Sequence, residues 1–73
     1  MPLPIVSGAQ AVRAFERAGW RVSRRRGSHI ILTKPGTFNT LSVPDHDELD
    51  RDTLRSLIRK ADLTVDEFTT LLD

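Results

Sequence analysis

Two histidines, His29 and His46, and the cations between residues 24 and 34 are the side chains of this 73-residue chain best equipped for chemistry. Imidazole has an ordinary pKa of about 6.5, so it takes up and releases protons close to neutral pH. Around His29 stand Arg24, Arg25, Arg26 and Lys34, cations suited to a phosphate or to negative charge developing in a transition state. Such a pairing suits the cleavage of RNA. The 2′-hydroxyl of RNA is its own nucleophile, so the protein need supply neither a nucleophile nor, in principle, a metal. Proton transfer by a positioned imidazole contributes roughly 10²–10⁴ in rate. On residue types alone, a surface strand histidine with no task is the simpler reading of His29.

His46 is the only other histidine and could supply a second proton-transfer or substrate-binding group. The simpler alternative is a loop histidine that steadies the start of a helix. The Arg24–Arg26 run reads either as a solvated loop or as a contact to a phosphate backbone, the sequence-independent part of nucleic-acid affinity. Sequence readout of single-stranded RNA uses stacked aromatics. Here Phe15 and Phe68 read as core and Trp20 as a core anchor, leaving only Phe38 undecided, so recognition by backbone and shape is expected. The acids Asp45, Asp47, Glu48 and Asp50 around His46 lack the glycine and the terminal glutamate of a calcium loop. Zinc would require more His or Cys. No metal and no cofactor are expected.

Composition narrows the setting. There are no cysteines, which excludes disulfides and thiolate–zinc sites. The chain is 38% hydrophobic and 29% charged, as in ordinary globular domains. Its net charge of +1 conceals an asymmetry. Residues 1–44 carry seven bases and one acid (+6), whereas residues 45–73 carry four bases and nine acids (−5). Such a split is a mark of polyanion-binding surfaces. No apolar run approaches the ~20 residues of a membrane span, and residues 1–7 lack the basic region of a signal peptide. A cytoplasmic location is therefore expected.

The elements that must position these groups follow from periodicity. Ser7 and Gln10 form a capping box, and Ala11, Val12, Phe15 and Ala18 recur at helical spacing before Gly19, giving a helix over 8–18. Residues 20–24 alternate as a half-buried strand does. Arg25–Arg26–Gly27 suits a turn, and 28–34 reads as a second strand with Ser28, Ile30 and Leu32 on one face and His29, Ile31 and Thr33 on the other. A turn at Pro35–Gly36 leads to a third strand over 38–43, ended by Pro44. Pairing through that turn sets His29 opposite residues 44–45, with His46 close by. Asp50 caps a helix whose stripe is Leu54, Leu57, Ile58 and Ala61. Thr64 and Glu67 box the start of a third helix, with Phe68, Leu71 and Leu72 on its apolar side. The expected fold is α+β in the order α-β-β-β-α-α. It would be one domain over 1–73, a three-stranded antiparallel meander with its helices on one face and its other face open.

In their order and spacing, several motifs resemble the HicA toxin family over nearly the whole chain. They are Ala18-Gly19-Trp20, then Gly27-Ser28-His29 opening an apolar strand, Val43-Pro44-Asp45-His46, and Asp52-Thr53-Leu54-Arg55-Ser56-Leu57. The family usually has glycine where this chain has Asp52, a helix-start position at which a carboxylate is favourable. The resemblance implies a double-stranded-RNA-binding-like fold and an endoribonuclease toxin that cleaves mRNA through His29. It further implies neutralisation by a HicB-type antitoxin whose acidic groups cover the active face. Arg24, Arg25, Arg26, Ser28 and Lys34 are then the RNA-contacting candidates, and His46 a supporting one. Two other readings are a non-catalytic RNA-binding module of the same fold and a protein adaptor built on the acidic half.

Overall fold

The chain is described over residues 2–72 in a computed structural model; Met1 and Asp73, the ends of the expected domain, lie outside the described residues. The elements are α1 (Gly8–Arg17), β1 (Arg21–Arg26), β2 (His29–Thr33), β3 (Leu41–Pro44), α2 (Arg51–Lys60) and α3 (Val65–Leu71). The strands form one antiparallel sheet in the order β1-β2-β3. The α-β-β-β-α-α order expected from periodicity is the order found.

The caps do what their side chains dictate. The Ser7 hydroxyl accepts from the Gln10 amide at 3.1 Å, and Gln10 Oε1 accepts from the Ser7 amide at 2.9 Å. Thr64 and Glu67 repeat the arrangement at α3. The Asp50 carboxylate accepts from the Asp52 and Thr53 amides at the start of α2. Each cap of this kind stabilises its helix by about 1 kcal/mol.

Burial falls on one side of the sheet. Ile30 and Leu32 of β2 and Leu41 and Val43 of β3 are buried against the apolar faces of the helices, among them Phe15, Leu54, Leu57, Ile58 and Phe68. The rings of Phe15 and Phe68 pack tilted at a centroid distance of 5.1 Å, joining α1 to α3. The alternate residues His29, Thr33 and Ser42 are exposed, and Ile31 is half-buried. All three helices therefore serve one face, and the other is bare.

Three expectations about the strands need correction. Arg25 and Arg26 are not in a turn: β1 runs through Arg26, which pairs with His29, and the turn is Gly27–Ser28. A two-residue hairpin with glycine first matches the twist of its strands, and Gly27 has φ +58°. Nor is β1 half-buried, for all six of its residues are exposed. It is an edge strand, and the apolar anchor of that segment, Trp20, comes just before it. The third strand begins at Leu41, so Phe38 lies in the preceding loop and is fully exposed.

The entry to α2 is tied to the amino-terminal segment. Asp45 N–H donates to the Ser28 carbonyl at 2.7 Å, Gly8 N–H to the His46 carbonyl at 2.9 Å, and Leu49 N–H to the Val6 carbonyl at 2.8 Å. Gly8 allows this approach because a β-carbon there would stand 2.1 Å from the Pro44 carbonyl oxygen. Helix propensity favours alanine over glycine by up to about 1 kcal/mol, but overpacking against backbone costs about 1–3 kcal/mol. Gly8→Ala is accordingly expected to lower the unfolding free energy in urea titrations by about 2 kcal/mol. An unchanged or raised midpoint would show that the close approach is not maintained in solution.

Candidate active site

His29 stands at the first position of the central strand, flanked on both sides. Its register partners are Arg26 on β1 and Pro44 on β3. Directly opposed side chains on an antiparallel pair start ~4.5–5.5 Å apart on the same face, so Arg26 and His29 project together from the bare face. The imidazole is exposed. Among the described residues no hydrogen bond or ion pair is found at its ring. A shallow open depression surrounds it, walled by Arg26, Ile31 and Ser42.

A register shift decides which arginines accompany it. Arg21 pairs with Thr33 and Val22 with Leu32, but Arg24 pairs with Ile31, so β1 holds one extra residue, Ser23, against β2. Such a bulge reverses the side-chain alternation beyond it. Without it, Arg21, Ser23 and Arg25 would share a face. With it, Arg21, Arg24 and Arg26 stand opposite Thr33, Ile31 and His29 on the bare face. The result is a row of three guanidinium groups along the edge strand beside the imidazole. Arg21 was not singled out from sequence; only the bulge brings it into the row, and nothing in the residue pattern announces a bulge.

The remaining candidates are dispersed. Arg25 pairs with Ile30 and so projects to the helix side, where its guanidinium donates to the Asp45 carboxylate. Ser28 sits in the hairpin turn, and its carbonyl accepts from Asp45 N–H. Lys34 lies about 16 Å along the strand direction from His29; its Nζ is 5.9 Å from the Trp20 ring centroid. His46 follows His29's partner Pro44 by two residues, beyond the end of the paired strand. It is exposed and not a wall of the depression around His29, and its carbonyl is held by Gly8. Trp20 is 3% exposed, as a core anchor should be.

An exposed imidazole with guanidinium groups in reach can exchange protons with a bound polyanion and neutralise its charge. Among the described residues no group of three or more His, Asp or Glu is placed to hold a metal ion, and no helix is long and apolar enough to cross a membrane.

In comparison with known proteins, a family model described as the HicA toxin of bacterial toxin–antitoxin systems matches residues 8–63. No curated protein matches the chain in sequence. The matched span includes α1, the whole sheet and α2.

The Arg25–Asp45 pair is open to solvent, with side chains 56% and 38% exposed, and exposed pairs of this kind contribute about 1 kcal/mol or less. A double-mutant cycle with Arg25→Ala and Asp45→Ala should give a coupling energy of no more than about 1 kcal/mol in thermal unfolding. A coupling of several kcal/mol would mean that the pair is shielded.

Proposed function

Because the chain belongs to the HicA toxin family, and so to the toxin side of a toxin–antitoxin pair, we propose that it is an endoribonuclease acting on mRNA through His29. The observation that carries the proposal is the exposed imidazole on the sheet face bare of helices, with Arg26 directly opposite and Arg24 next along the same face.

In this reading the RNA backbone lies across the bare face. The 2′-oxygen attacks the adjacent phosphorus as the P–O5′ bond breaks, the 2′-hydroxyl loses a proton, and the leaving 5′-oxygen gains one. The products are a 2′,3′-cyclic phosphate and a 5′-hydroxyl. His29 handles one of these protons and water at this open surface the other. Arg26 and Arg24 neutralise the charge that develops on the phosphoryl oxygens, where charge-assisted hydrogen bonds are strongest. RNA supplies the nucleophile, so this reading requires no metal and no cofactor. His46, two residues beyond His29's strand partner, is a candidate for a supporting role, with a loop histidine at the entry to α2 as the simpler alternative. Ser28 sits in the adjoining hairpin turn, Lys34 lies at a distance from the cut, and Arg25, held on the helix side by Asp45, lies off this RNA path.

A HicB-type antitoxin is the expected partner. A basic, bare sheet face is neutralised most directly by a surface that presents acidic groups and covers His29. Binding to the folded toxin would also stabilise so small a domain by mass action.

The test is cleavage of a mixed-sequence RNA in EDTA. Wild-type protein should cut it, leaving cyclic phosphate ends. His29→Ala should lose roughly 10²–10⁴ in rate with an unchanged circular dichroism spectrum, and expression of wild-type protein alone should arrest growth where His29→Ala does not. RNA binding without cleavage by wild-type protein would instead identify a non-catalytic RNA-binding module.

A further inference from the structure

We infer that the RNA substrate extends beyond the cut to a second subsite at the opposite end of the sheet, where Lys34, Arg59 and Lys60 hold a backbone phosphate and Phe38 stacks on a base. The inference rests on the reading of the chain as an RNA-cleaving protein and adds to it a substrate path and a minimum length.

Two observations converge on that end of the molecule. First, Lys34, Arg59 and Lys60 wall one depression together with Trp20. Among the described residues no ion pair neutralises any of the three cations. Asp62 is the one acid in the wall, so the depression carries an excess of positive charge. Second, Phe38 is fully exposed between Thr37 and Asn39, both of which line the same depression. A bare phenyl ring beside a cationic hollow is the combination by which single-stranded RNA is held, the base on the ring and the phosphate on the cation.

The subsite is continuous with the candidate active site. Ser42 walls both the depression around His29 and a second one, which runs between β3 and α2 past Thr40, Thr53 and Ser56. Lys60 walls that second depression and also the cationic hollow. The path thus begins at Arg26 and His29, crosses a stretch rich in hydroxyl groups with Asp52 at its side, and ends at three cations and an exposed ring. Positive charge at both ends of the track suits any polyanion, but the bare Phe38 ring at its far end favours a nucleic acid over an acidic protein surface, because a nucleic acid brings bases to stack on it.

Trp20 is the only tryptophan, and there is no tyrosine, so intrinsic fluorescence reports from this subsite. The Lys34 ammonium lies over its ring, and drawing that ammonium to a phosphate changes the emission. The experiment uses His29→Ala, which leaves RNA uncut, titrated at ~0.1 M salt with single-stranded RNA of about four or about twelve nucleotides. The longer RNA should change Trp20 emission at saturation and the shorter one should not.

Lys60→Ala should weaken binding of the longer RNA roughly 5–10-fold and lower its salt slope by about one. Phe38→Ala, at a position with no packing to lose, should weaken it about tenfold. Equal emission changes with both lengths, or no effect of either substitution on the longer RNA, would overturn the subsite while leaving cleavage at His29 intact. An emission change with poly-glutamate but not with the longer RNA would overturn it in favour of an acidic protein partner. Failure of wild-type protein to cut RNA at all would instead remove the reading on which the subsite rests.

Discussion

The placement of charge in this protein depends on one surplus residue. Ser23 has no counterpart on β2, and its insertion shifts the pairing of β1 between Val22 and Arg24. Side chains on a strand alternate strictly between faces, so one extra residue exchanges the faces of everything beyond it. Arg24 and Arg26 thereby come to the side of His29, and Arg25 turns to the helix side and meets Asp45. In an unbulged strand the same three arginines would be divided the other way, and the residue directly beside the imidazole would not be the same cation.

The division of labour between the two sheet faces follows from how few elements the chain can afford. A single layer of helices covers a single sheet face, and the buried residues Ile30, Leu32, Leu41 and Val43 are committed to it. The alternate positions are then exposed whatever their type. On this chain they are Arg21, Arg24, Arg26, His29, Thr33 and Ser42, with Ile31 half-buried and no acid among them. The charge asymmetry between the halves of the sequence thus survives folding as an asymmetry between surfaces. Acids such as Asp50 and Glu67 are taken up at the starts of α2 and α3, where amides need acceptors.

Most of the architecture was legible because it rests on local chemistry. The boxes at Ser7 and Thr64, the Asp50 cap, the apolar stripes and the alternation of β2 each depend on residues a few positions apart, and all are present. The pairing of β2 with β3 was legible too, since the Pro35–Gly36 turn fixes His29 opposite Pro44. What escaped was β1. Its apolar–polar alternation implied a half-buried strand, whereas as an edge strand it is exposed throughout, and its arginine run concealed both the true turn and the bulge. The candidate site was therefore legible as an outward-facing His29 near cations, but not as to which cations. Arg25 and Lys34 project elsewhere; Arg21 joins the row only through the bulge, and Arg59 and Lys60 reach the far end of the sheet only because tertiary structure brings α2 there.

Nuclear magnetic resonance mapping of a non-cleavable ligand shows which face of the sheet RNA occupies. A 2′-O-methyl RNA lacks the nucleophile, so it can be titrated against the wild-type chain with His29 in place. Placement of RNA across the bare face requires resonances of Arg24, Arg26, His29, Ile31 and Ser42 to shift together. Shifts confined to α1 and the helix-side Arg25, with His29 and Ile31 unmoved, would contradict it.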